Sequence, residues 1–159
     1  MKSNRLTAKE MARFVASGYL RFEEMVPKDL CAACLEEMRE HKGYLAVGTP
    51  FEQTWPKDTA LGEAFRLPQV QGLIHSLLGP DPLYDHHGPH LVKGGHMQGP
   101  DMHQDSVIDF RVNYFDIQLS FFPTDTPDEM GGTFLVPGTQ FRNVRTSEID
   151  FYQQMRGKI

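Results

Sequence analysis

Cysteine is scarce in this sequence, with two in 159 residues, and that excludes a disulfide-stapled scaffold. Cys31 and Cys34 form a CxxC that could signal redox chemistry or half a zinc site. They fall inside an expected helix, and no second cysteine or histidine pair stands at zinc-finger spacing. The pair reads as two small apolar residues on one helix face. No apolar run approaches the ~18 residues of a membrane span. The start, MKSNRLTAKEM, has no apolar core of a signal peptide. A basic excess is missing too: the formal charge is -5, which excludes the usual nucleic-acid footprint. There are no internal repeats. The expectation is a soluble, cytoplasmic, single-domain protein (residues 1–159) with no nucleic-acid or membrane partner.

What is abundant is hydrophobic content at 40%, together with 14 glycines and 11 prolines. Apolar residues are sufficient for a core, and the breakers crowd into residues 79–138. The first half has helical spacing. Thr7 and Glu10 fit a capping box before an apolar stripe of Ala8, Met11, Phe14 and Val15, stopped by Gly18. Residues 19–22 are a short strand candidate. Pro27 introduces a second helix through Leu30, Cys34, Leu35 and Met38, ending at Gly43. Residues 44–58 read as irregular, with Trp55 filling a gap against the core. Pro68 opens a third helix through Val70, Leu73, Ile74 and Leu77, closed by Gly79. His75 in that helix reads as a packed or surface histidine.

The second half has strand signals. Residues 84–88, 90–93, 114–122 and 133–136 carry β-branched, aromatic or alternating residues between Gly/Pro breaks. In the longest run Phe115, Ile117, Leu119 and Phe121 share one face, while Tyr114, Asp116, Gln118 and Ser120 share the other. One oily and one polar face suit a barrel or jelly roll whose polar side meets a pocket. Helices first and strands after predict a mainly β (α+β) arrangement. A helical cover of about residues 1–80 would pack on jelly-roll strands of about 81–159.

Five of the seven histidines fall within residues 86–103. His86 and His87 are adjacent, so on a strand they face opposite ways and cannot serve one metal. His90 and His96 flank a Gly-rich turn and could line a pocket. His103 and Asp105 differ, because residues i and i+2 of a strand project together. An imidazole nitrogen and a carboxylate oxygen can then converge on one ion. Joined by a second histidine, such a pair makes the two-His-one-carboxylate triad that suits Fe(II) and leaves positions open.

Three stretches in order resemble the phytanoyl-CoA dioxygenase family. LVKGG at 91–95, running through Pro100 into MHQDS at 102–106, looks like its metal-binding segment. The run 114–122 followed by TPDEMGGTFLVPGT at 126–139 resembles the strand and loop that come next. The opening helix, GYLRF at 18–22 and the helix introduced by Pro27 are also similar. The resemblance spans about residues 7–145.

It implies a double-stranded β-helix, Fe(II), and 2-oxoglutarate as co-substrate. The chemistry implied is hydroxylation of an unactivated C–H bond of a small molecule by dioxygen, with the oxo acid converted to succinate. His103 and Asp105 map onto the proximal iron ligands, and Gln104 points away from them. Lys93 matches a lysine frequent in the preceding strand, as a cation near the co-substrate or as a solvated edge residue. Gln118 and Ser120 could hydrogen-bond the oxo acid, and Arg111 is a further cation near the site. A carboxylate at Asp105 favours hydroxylation over halogenation.

The family's distal histidine and the arginine that grips the oxo acid have no counterpart. No histidine follows His103, Arg142, Arg145 and Arg156 come too early, and Gln140 stands where histidine is common. The expectation is a truncated form of a full dioxygenase. The alternatives are completion by self-association or a second chain, and a degenerate, non-catalytic binding or interaction protein.

Overall fold

The computed structural model describes residues 4–40, 51–84, 88 and 116–140. Their regular structure is helical: α1 (Ala8–Ser17), α2 (Lys28–Glu40), α3 (Phe51–Thr54), α4 (Ala60–Arg66), α5 (Pro68–Leu78), and one 3₁₀ turn at Asp128–Met130. No strand occurs among the described residues. The mainly β jelly roll expected from the sequence is therefore overturned, and the described fold is helical. The candidates at 19–22 and 133–136, and residues 116–122 of the long run, have no ladder pairing. The reason lies in what alternation reports. It is a property of one segment, whereas a strand exists only with a hydrogen-bonded neighbour. The candidate at 90–93 lies outside the described residues, as does the Gly43 helix stop.

Each helix end has a local cause. At the start of α1 the Thr7 hydroxyl accepts from the Glu10 N–H at 3.3 Å, and the Glu10 carboxylate accepts from the Thr7 N–H at 2.7 Å. This is the expected capping box, and it satisfies two otherwise orphan donors. Gly18 closes α1 in the left-handed region, φ 82°, and donates to the Phe14 carbonyl. Ahead of α2, the Pro27 carbonyl takes the first helical bond, from the Cys31 N–H at 2.8 Å. Pro68 sits in the first turn of α5, and the Gly79 N–H closes that helix on the His75 carbonyl.

The chain divides into two compact units, one comprising Met1–Leu6, Phe22–Lys93 and Leu119–Asp125, the other Thr7–Arg21, Gly94–Gln118 and Thr126–Ile159. In the first, α4 packs on both α2 and α5. Its core joins Val26, Cys34, Trp55, Leu61 and Ala64, with Met38, Phe65, Tyr84 and Phe121 packed against them. Val70, Leu73 and Ile74 of α5 are also buried. Each such aliphatic side chain contributes roughly 1.5–3 kcal/mol of transfer free energy. Trp55 fills the core as its sequence position suggested, and only 4% of it is exposed.

Polar groups fix the geometry of this unit. The Glu37 carboxylate of α2 accepts the Leu61 N–H at 2.7 Å, placing negative charge at the α4 N-terminus, where the helix dipole favours it. The Thr59 hydroxyl accepts from the Gly62 N–H at 3.0 Å and donates to the Pro56 carbonyl at 2.7 Å. Arg66 donates through Nη1 to the carbonyls of Trp55 (3.0 Å) and Gly62 (2.8 Å). Near the chain start, the Leu6 N–H donates to the Ser76 hydroxyl at 2.9 Å, and the Asn4 backbone lies directly over Gly72. No described helix is long and apolar enough to cross a membrane.

Candidate functional site

His103, Asp105 and Lys93 lie outside the described residues, as do Arg111, His86, His87, His90 and His96. Gln118 and Ser120 are described. Both are exposed and in irregular backbone, Gln118 in the second unit and Ser120 in the first. Their neighbours keep a trace of the expected sidedness, with Asp116 exposed, Ile117 half-buried, and Phe121 against the first unit's core. Among the described residues, no group of three or more His, Cys, Asp or Glu could hold a metal ion.

The donor types at 103 and 105 do fit Fe(II). A neutral imidazole and a carboxylate are both ordinary ligands for it, and two protein donors leave room for an exogenous oxo acid. Gln104 between them offers an amide, which is a poor competitor for the metal.

The segment 126–140 is where a stretch singled out in the sequence meets described structure. The 3₁₀ turn at Asp128–Met130 is followed by Gly131 at φ 73°, and Pro137 leads into Gly138 at φ 80°. Both glycines therefore occupy the left-handed region that side chains avoid. The Thr139 hydroxyl donates to the Val136 carbonyl at 2.8 Å, tightening the turn. This turn lies against the C-terminal end of α1, within one unit. The Gly138 N–H donates to the Ser17 carbonyl at 3.0 Å, and Gln140 Nε2 donates to the Val15 carbonyl at 2.8 Å. Gln140 Oε1 is buried with no hydrogen-bond partner. Position 140, where the resembled family commonly has histidine, is thus occupied by an amide engaged with a helix terminus.

The CxxC is embedded as its helical position suggested. Cys34 is fully buried and Cys31 half-buried. Burial, with the nearby Glu37 carboxylate second, pushes the Cys34 thiol up to about 11, the opposite of what a reactive thiolate needs. Burial likewise raises Cys31, whose Sγ contacts the Val26 carbonyl at 3.5 Å.

The sequence reading passed over two features. One is the docking of the 137–140 turn on α1, which joins segments too distant for any local pattern to connect. The other is α4, whose start was signalled by Thr59 followed by Gly62 and Glu63, a cap and an early acidic residue. Comparison with protein families, curated proteins and solved structures finds no match.

Proposed function

We propose that this chain is a cytoplasmic Fe(II)- and 2-oxoglutarate-dependent dioxygenase of the phytanoyl-CoA dioxygenase type, hydroxylating a small-molecule substrate. The observation that carries the reading is the His103-Gln104-Asp105 motif, set between LVKGG at 91–95 and the segment 126–139 in matching order. His103 would hold the metal through an imidazole nitrogen and Asp105 through a carboxylate oxygen. When bound, Fe(II) with dioxygen and the oxo acid supplies the oxidising power for C–H hydroxylation. Lys93 would offer a cation to the oxo acid's carboxylate, and Gln118 and Ser120 would offer hydrogen bonds. The roles of the protein groups are to position the co-substrate and to exclude water. A full triad requires one more donor, and no histidine follows position 103. In this reading the sequence is a truncated form of a full dioxygenase, and that donor lies outside its 159 residues.

The test is anaerobic titration of the whole chain with Fe(II) or Mn(II) in the presence of 2-oxoglutarate, followed by succinate measurement on admitting oxygen. Saturable metal binding that is lost in His103→Ala and Asp105→Ala supports the reading. If His103→Ala binds metal as tightly as the parent chain, the assignment fails.

A second reading, a non-catalytic interaction protein with structural histidines, is favoured by one observation. Gln140 is committed to the Val15 carbonyl of α1 where the resembled family commonly has histidine. That reading requires no oxo-acid affinity, no turnover, and a melting temperature unchanged by chelators.

A further inference from the structure

Gly72 and Ser76 stand four residues apart on α5 and so share one face of that helix. Residues 4–6 are seated on this face, within the first unit. The Leu6 N–H donates to the Ser76 hydroxyl at 2.9 Å, and that hydroxyl donates onward to the Gly72 carbonyl at 2.6 Å. The Asn4 carbonyl lies so close over Gly72 that a Cβ there would overlap it. The two glycine-and-serine positions therefore form a groove that reads chiefly main-chain atoms of the arm. The neighbouring amide is held elsewhere. The Thr7 N–H donates to the Glu10 carboxylate at 2.7 Å, and Thr7 begins the second unit. Successive amides, Leu6 and Thr7, thus serve different units, which makes the link between them a joint. Beyond it α1 carries its own capping box, so its start is complete without the arm.

We propose that the Gly72–Ser76 groove is an interface for a second copy of this chain, whose residues 4–6 dock in it as the chain's own arm does here. An arm exchanged between two copies reproduces the Leu6–Ser76 bond and the Asn4–Gly72 contact, and only the Leu6–Thr7 joint changes. Each copy gives one arm and receives one, so the assembly closes as a dimer. The tethered arm competes at high effective concentration, and exchange therefore grows as the protein is concentrated. The interface uses neither His103 nor Asp105 and is independent of the proposed iron centre.

The experiment mixes isotope-labelled and unlabelled copies of the full chain and concentrates them stepwise, with mass followed by light scattering. Filtered NMR then reads contacts that run only between copies. A dimer that grows with concentration is expected, with a cross-copy contact between the Leu6 amide and the Ser76 side chain. Gly72→Ala closes the groove and should abolish the dimer. Leu6→Pro leaves α5 untouched and puts a ring carbon where the N–H met Ser76, so it should abolish the dimer as well. Gly132→Ala, whose methyl meets open space, should dimerise like the parent chain. Circular dichroism of each variant establishes that its helices are retained. A chain that stays monomeric at every concentration overturns the proposal. So does a dimer in which the Leu6–Ser76 contact remains within each copy, or one undiminished in Leu6→Pro.

Discussion

The side chain of Gln140 donates from Nε2 to the backbone carbonyl of Val15 at 2.8 Å, joining residues 125 positions apart. The same amide group lies so close to Gly18 that a Cβ there would overlap its Oε1 and Cδ. Helix terminus, left-handed glycine and distant amide therefore form one arrangement, and each member constrains the others.

Gly18→Ala should destabilise the chain for two reasons. Its φ of 82° costs a side-chain-bearing residue roughly 1–2 kcal/mol, and the new methyl collides with Gln140. Gln140→Ala alone should cost roughly 0.5–1.5 kcal/mol for the lost hydrogen bond. Because it also removes the collision, the double variant should be less destabilised than the sum of the two. Urea denaturation of the four proteins reads this coupling directly, and strict additivity would show that the contact is absent in solution.

Gly62→Ala should be more damaging than a helix propensity scale suggests. Alanine is ordinarily favoured over glycine inside a helix by about 1 kcal/mol. At this buried position the methyl would drive into the Pro56 carbonyl oxygen, a backbone atom that cannot rotate away. Overpacking of that kind costs roughly 1–3 kcal/mol, so the net sign should be destabilising. A raised melting temperature in this variant would contradict the packing described around α4.

Thr7→Ala should lower stability by about 1 kcal/mol through loss of the α1 cap. The cap also carries a pH signature. The Thr7 backbone N–H, then its hydroxyl, hold the Glu10 carboxyl below its usual value of 4.5. A depressed folded-state value means that the contribution is present above pH 4.5 and is lost as pH falls through the lower, folded value. Helicity followed by circular dichroism should decline over that acidic range in the parent chain. In Glu10→Gln the decline should be smaller.

The two thiols should differ in reactivity. With its value pushed up to about 11 and no solvent exposure, Cys34 should resist alkylation by iodoacetamide at pH 8. Cys31, half-buried, should label first. In denaturant the two rates should converge, as peptide mass spectrometry can measure. Equal rates in the folded chain would contradict the burial of α2 on α4.

Much of the helical layout was legible because its signals are local. Thr7 with Glu10, Gly18, Pro27, Pro68 and Gly79 each act on backbone within one turn of themselves, and each marks a helix boundary. Trp55 was legible as core because a large aromatic amid polar neighbours has few other places to go. The jelly roll was misread because residues 116–122 and 133–136 have the alternation of strands without the partner strand that alternation cannot encode. As for function, the His103–Asp105 pair is legible as donor chemistry only. By contrast, the docking of Gly138 and Gln140 on the end of α1 was invisible, since no spacing rule joins residues more than a hundred positions apart.

Hydrogen bonds between distant residues impose an order on folding. The Leu6 N–H waits 70 residues for Ser76, and the Val15 carbonyl waits 125 for Gln140. On a ribosome adding ~5–20 residues per second, α1 emerges many seconds before its distal cap exists. Loop closure over such spans adds an entropic barrier that grows only slowly with length. The early helix must therefore persist on its local caps, the Thr7–Glu10 box and Gly18. Synonymous changes that slow translation between residues 20 and 140 would lengthen the interval in which its C-terminal end is open to proteases and chaperones.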